Sequence, residues 1–325
     1  MIRYFAHRPI VSITVFAIAC FGSVWLFKKQ LPHPPLAVTN PLPLSVSTKF
    51  TKIGKVPTAD GPRYELQFIN EHEGWLAKRN HLWHTQDGGK TWELVHQLQH
   101  NSRQEFAQLQ FINSKQGWAK FLNYGELYKT SDGGRTWIRL VTPMDDGYGS
   151  LWTFRLEPSG QSAWIAGGIF QPIKIGDPCM NNAMGSLPDS PYACLNGAVY
   201  RTTDGGVSWQ MQKIPPDVGR FMSITVTGSD HVAVTGDAGM YYSNNSGRTW
   251  RRGEFRRECF DFYEFPDMYP TETVFVNDKI GWLSLSSGLI ANTRDGGKTW
   301  CDLFFPESLW NEPGYVGPTQ QFHSI

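Results

Sequence analysis

Five acid or amide side chains recur in one setting, at residues 85–92 (TQDGGKTW), 130–137 (TSDGGRTW), 202–209 (TTDGGVSW), 243–250 (SNNSGRTW) and 293–300 (TRDGGKTW). Each copy reads hydroxyl residue, any residue, Asp or Asn, any residue, Gly, any residue, hydroxyl residue, Trp. An isolated Asp can act as acid, base or metal ligand, but these neighbours assign it other work. Asp and Asn accept hydrogen bonds from the amides of their own turn, Gly supplies the positive φ a tight turn needs, and a hydroxyl closes the loop from the far side. Asp87, Asp132, Asp204, Asn245 and Asp295 are therefore expected to hold hairpins. Trp92, Trp137, Trp209, Trp250 and Trp300 open the following strand with a large apolar face, and are expected in equivalent, mostly buried positions.

No other catalytic pattern is present. There is no P-loop, no GxSxG, no HExxH and no GxGxxG opening a helix. The nine His are dispersed; His81 and His84 lie around a strand, as solvent-facing or hydrogen-bonded side chains. No enzyme, metal or cofactor is expected. The constellation that reads as functional is Arg248, Arg251, Arg252, Arg256 and Arg257, followed by Phe260, Phe262 and Tyr263. Arg and aromatics are the side chains that anchor protein interfaces. Nucleic acid is not the expected partner, because 30 basic against 29 acidic residues leave a net charge of +1.

The elements that position these residues follow from the spacing. The box acids lie 132−87 = 45, 204−132 = 72, 245−204 = 41 and 295−245 = 50 residues apart, and a four-stranded propeller blade takes about 40–50 residues. Upstream of each box two period-2 strands recur, the second often opening with Gly-Trp, as at Gly74-Trp75, Gly117-Trp118 and Gly281-Trp282. The expected fold is all-β, a propeller over residues 45–325 with five clear blades. Residues 45–55 and 302–325 leave room for a degenerate sixth. The third repeat carries an insertion at about 168–196, between its second and third strands. That insertion and a long loop at 253–271 should emerge on the face opposite the boxes, and function concentrates on such loops.

Residues 1–9 form a short flank, and 10–27 are 18 positions without a charge, about 27 Å as a helix and enough to cross a bilayer core. Residues 28–44 are a Pro-rich spacer. Beyond the span lie Cys179, Cys194, Cys259 and Cys301 with no CxxC pattern, which suits an oxidising compartment. The expectation is a single-pass inner-membrane protein whose propeller lies on the exported, periplasmic or lumenal side. Cys179 and Cys194 are expected to bond within the insertion. Cys259 and Cys301 are expected to stay apart, on opposite faces.

The box is that of the Asp-box or BNR repeat. Gly-Trp in the second strand with DGGxTW at the box, complete in repeats one, two and five, resembles the photosystem II stability and assembly factor family. That resemblance implies a non-catalytic exported propeller that binds protein partners and helps assemble a membrane complex. Sialidases are Asp-box propellers too, so a glycoside hydrolase or carbohydrate-binding propeller is the alternative. Its signature would be an FRIP-like string and a Tyr-Glu pair. The nearest strings are Phe154-Arg155-Leu156-Glu157-Pro158, which reads as an ordinary strand, and Tyr263-Glu264.

Overall fold

The computed structural model describes residues 64–98, 104–122, 125–145, 149–172, 192–215, 219–228, 230–256, 269–286 and 289–303. The expected span, spacer and sixth-unit pieces lie outside these residues, apart from Asp302 and Leu303, which belong to the last strand of the fifth sheet. So do Cys179, Cys259, Arg257, Phe260, Phe262 and Tyr263, and the side chain of Cys194. Among the described residues no helix is long and apolar enough to cross a membrane.

The described chain is all-β, in five sheets. The first holds β1 (Glu65–Phe68), β2 (Gly74–Lys78), β3 (His81–Thr85) and β4 (Glu93–Gln97). The second holds β5 (Phe106–Phe111), β6 (Gly117–Phe121), β7 (Leu127–Thr130) and β8 (Ile138–Leu140). The third holds β9 (Gly149–Leu156), β10 (Ala163–Pro172), β11 (Tyr192–Thr202) and β12 (Gln210–Met211), and the fourth β13 (Phe221–Thr227), β14 (His231–Gly236), β15 (Gly239–Ser243) and β16 (Arg251–Arg252). The fifth holds β18 (Pro270–Phe275), β19 (Gly281–Leu285), β20 (Ile290–Thr293) and β21 (Thr299–Leu303), with β17 (Glu254–Phe255) added beside β21. Within each sheet consecutive strands pair antiparallel, the arrangement of a propeller blade.

The second strands β2 and β6 are buried at every position, as strands covered on both faces must be. Four apolar clusters fill the spaces between successive sheets. Trp75 and Phe111 stack in the first, Trp118 packs with Phe154 in the second, Trp164 with Phe221 in the third, and Phe275 with Trp300 in the fourth. The Gly before each Trp has a steric cause. A Cβ there would lie 2.7 Å from the Phe68 ring at Gly74, 2.5 Å from Phe111 at Gly117, and 2.7 Å from Phe275 at Gly281. The aromatic ending one strand occupies the space that a side chain opening the next would need.

Two boundaries differ from the sequence expectation. The sequence puts the insertion at about 168–196, yet β10 and β11 stay paired from Ala163↔Thr202 out to Pro172↔Tyr192. Apolar Ile169, Phe170 and Leu195 continue the ladder, so the hairpin arms absorb both ends of the insertion. The expected loop at 253–271 begins instead as a strand. After β16 the chain crosses from the edge of the fourth sheet to that of the fifth, where Glu254 and Phe255 pair in parallel with Thr299 and Trp300. The unpaired outer edge of β21 offers free backbone groups that the crossing chain satisfies.

Candidate functional sites: box turns and the arginine-rich crossover

In each box the first hydroxyl caps the turn. Thr85 Oγ1 accepts from Gly89 N–H at 2.9 Å and donates to Asp87 Oδ1 at 2.9 Å. Asp87 then accepts from Thr91 N–H at 2.9 Å and from the Thr91 hydroxyl at 2.7 Å. The same bonds form at Thr130-Asp132-Thr136, Thr202-Asp204-Ser208 and Thr293-Asp295-Thr299. The Thr91 amide and hydroxyl hold the Asp87 carboxyl down at about 2. Burial pushes Asp132 up, but Thr136 and Thr130 outweigh it and bring the group to about 2. Asp204 is lowered by Ser208, and Asp295 is lowered because its Thr299 bonds outweigh burial. Both oxygens of each carboxylate are occupied by its own turn.

Asn245 shows that the charge is dispensable. Its Oδ1 accepts from the Ser243 hydroxyl and Thr249 N–H at 2.9 Å each, and its Nδ2 donates to Thr249 Oγ1 at 2.8 Å. Of the box tryptophans Trp300 (1%) and Trp250 (9%) are buried, while Trp92, Trp137 and Trp209 are half-buried. The indoles of Trp92, Trp137 and Trp300 each donate to the carbonyl of the second box glycine, whereas the indole N–H groups of Trp209 and Trp250 are buried without a hydrogen-bond partner.

The boxes also join the sheets. The residue after each box Asp or Asn, from the second copy on, offers its carbonyl to the preceding sheet. Gly133 accepts from Trp75 Nε1, Gly205 from Lys129 Nζ, Ser246 from Arg201 Nη1, and Gly296 bonds with His231 Nε2, at 3.0–3.4 Å. Nearer the centre, glutamines of one inner strand clamp the next. Gln110 accepts from Leu156 N–H at 2.8 Å and donates to its carbonyl at 2.7 Å, and Gln108 does the same at Phe154. His84, expected as solvent-facing or hydrogen-bonded, is the latter: it is buried against Glu73 at 3.0 Å.

Arg155 stands in β9, as an ordinary strand residue. Its Nε donates to the Ile224 carbonyl at 3.4 Å, and its guanidinium faces the field of Glu272 in β18. Burial lowers the Arg155 pKa and raises that of Glu272, each opposed by the other's charge.

The structure separates the arginines that the sequence groups. Arg248 belongs to the fourth box turn, where with Arg201 and Lys213 it lines a cavity of about 640 Å³. Arg251 and Arg252 are exposed on β16, opposite Tyr242 and Tyr241. Arg256 lies along β21, its N–H bonded to the Trp300 carbonyl at 2.9 Å and its Nε to Thr299 Oγ1 at 3.2 Å. One sequence cluster thus spans the box turn, the outer strand and the edge of the next sheet, because ten residues include a turn, a strand and a crossover.

The expectation for Cys301 is also changed. Cys301 is disulfide-bonded. A 253–271 loop lying wholly on the far face would keep Cys259 out of reach, whereas Arg256, three residues before Cys259, runs beside Trp300. Among the described residues no group of His, Cys, Asp or Glu could hold a metal ion.

This fold and these turns define an Asp-box, or BNR, repeat protein of propeller type. Residues 45–145 match the family model described as photosynthesis system II assembly factor YCF48. No curated protein matches. Similar solved structures include YCF48 bound to D1 peptide (19% identity, 76% of this chain and 88% of that one, TM-score 0.36) and YCF48 from Cyanidioschyzon merolae (18%, 74% and 84%, 0.38). A GH74 enzyme from Niastella koreensis is 15% identical over 71% of this chain and 36% of its own, with a TM-score of 0.50, a likeness of fold alone.

Proposed function

We propose that this chain is a non-catalytic, protein-binding propeller scaffold that assists the assembly or stability of a membrane complex, in the manner of photosystem II assembly factors. The observation that carries this reading is the similarity of residues 45–145 to that family. A YCF48 binds D1 peptide, which supports a protein as the partner class. The turn chemistry is consistent with it, since the box carboxylates are consumed by structure. In this reading the five sheets are blades of one ring, residues 10–27 anchor it, and the ring stands on the exported side of the inner membrane. The partner docks through Arg251, Arg252, Arg256 and Arg257 with Phe260, Phe262 and Tyr263, and the insertion is closed by Cys179–Cys194. Anchoring keeps the domain at a raised effective concentration near membrane partners, so modest affinity suffices.

Affinity purification of the full chain from detergent-solubilised membranes tests this reading. A scaffold retains subunits of one membrane complex at fixed stoichiometry. Recovery of no complex, together with hydrolysis of a glycoside by the same preparation, would replace it with the glycosidase alternative.

A further inference from the structure

The trailing side of the fifth sheet repeats positions that earlier interfaces cover, Ile69 partly and Ile112 fully. The first residue of the turn after the inner strand is Ile69, Ile112 or Val276, each donating its N–H to the carbonyl four residues on. Ile112 is 5% exposed beneath the third sheet, whereas Val276 is 43% exposed. Trp75, Trp118 and Trp164, which open or nearly open the second strand, are 0–3% exposed, whereas Trp282 is half-buried. Two substitutions make this side more apolar than its counterparts. Val274 faces Trp282 in the register where Gln67 and Gln110 face Trp75 and Trp118. Ile280, 38% exposed, stands where the earlier turns carry Glu73 and Gln116. An apolar sheet face of this kind calls for a cover.

The chain spacing names one. From each box Trp to the start of the next inner strand the interval is 106−92 = 14, 149−137 = 12, 221−209 = 12 and 270−250 = 20 residues. Counting 12 from Trp300 reaches residue 312, within 304–325 (FFPESLWNEPGYVGPTQQFHSI), which leaves from β21 of this same sheet and carries Phe304, Phe305, Leu309, Trp310, Tyr315 and Val316. The missing clamp at Val274 fits a cover held by apolar contact rather than by an amide.

We propose that residues 304–325 dock on this face, laying a sixth inner segment over Val274, Val276 and Trp282. The test places a photo-cross-linker in the full chain, Val276→p-benzoylphenylalanine, with Val207, 79% exposed on the third box turn, as the control position. The expected result is one cross-linked species of monomer mass whose peptide map joins position 276 to 304–325, with none from position 207. A cross-link at dimer mass would assign the face to a second copy. A cross-link to any other segment, or no cross-link, would equally overturn the proposal.

Discussion

Gln67 holds Phe111 by both backbone groups: its Oε1 accepts from Phe111 N–H at 2.6 Å and its Nε2 donates to the Phe111 carbonyl at 2.8 Å. The two residues lie in β1 and β5, the inner strands of successive sheets. A side-chain amide thus supplies, between sheets, the donor and acceptor that a ladder supplies within one. Gln110 repeats it at Leu156, so the series is joined by polar clamps near the centre and by aromatic clusters further out.

Removing a clamp leaves two buried backbone groups unsatisfied. Gln110→Ala should cost about 2–3 kcal/mol, from about 1–3 kcal/mol per orphaned group with partial rescue by water. Urea unfolding monitored by circular dichroism measures it. A loss below about 0.5 kcal/mol would mean that the clamp is incidental.

In the boxes, geometry rather than charge does the work, as Asn245 demonstrates. Asp295→Asn should change the melting temperature by less than about 2 °C, whereas Asp295→Ala should lower it by about 2–4 °C. Equal effects of the two substitutions in differential scanning calorimetry would contradict this.

The same carboxylates set the acid response. Their folded pKa values lie below the unfolded value of about 3.9, so they favour the fold above that pH, and the contribution is lost as pH falls through their folded values. With Asp87 and Asp132 at about 2, the loss should fall between about pH 4 and pH 2. Replacing all four box Asp by Asn should flatten urea midpoints across that window. An unchanged slope would place the acid sensitivity elsewhere.

Arg155 and Glu272 should be coupled. Arg155→Met leaves a carboxyl whose burial is no longer opposed, and should cost about 2 kcal/mol more in the presence of Glu272 than in a Glu272→Gln background. Additive effects in the double-mutant cycle would show that the two charges act independently.

Cys301 should yield no free thiol under non-reducing conditions, and peptide mapping should identify its partner. Arg256 is hydrogen-bonded to Trp300, and three residues of chain reach about 10 Å, so Cys259 is the partner with the shortest tether. A Cys301 alkylated without reduction would contradict this.

The repeats, their strand order and the role of the box Asp were legible because each depends on local chemistry repeated five times. The clamp also left a trace, since LQFIN occurs at 66–70 and again at 109–113, but its partner lies 44 residues away and no local rule supplies that distance. The dispersal of Arg248, Arg251 and Arg256 was hidden for the same kind of reason. Sequence proximity treats them as one patch, while a turn, a strand and a parallel crossover carry them apart. The crossover depends on the open edge of β21, formed by residues more than 40 positions later.

The docking surface is the centre of the functional account, and Arg251, Arg252, Arg256 and Arg257 are its test. Arg251, Arg252 and Arg256 are exposed, and exposed charges contribute little to stability, so replacing all four by Ala should leave the melting temperature within about 2 °C of wild type. The account predicts that this variant, purified from detergent-solubilised membranes, loses the membrane-complex subunits that the wild-type chain retains. A folded variant that still retains them all would contradict it.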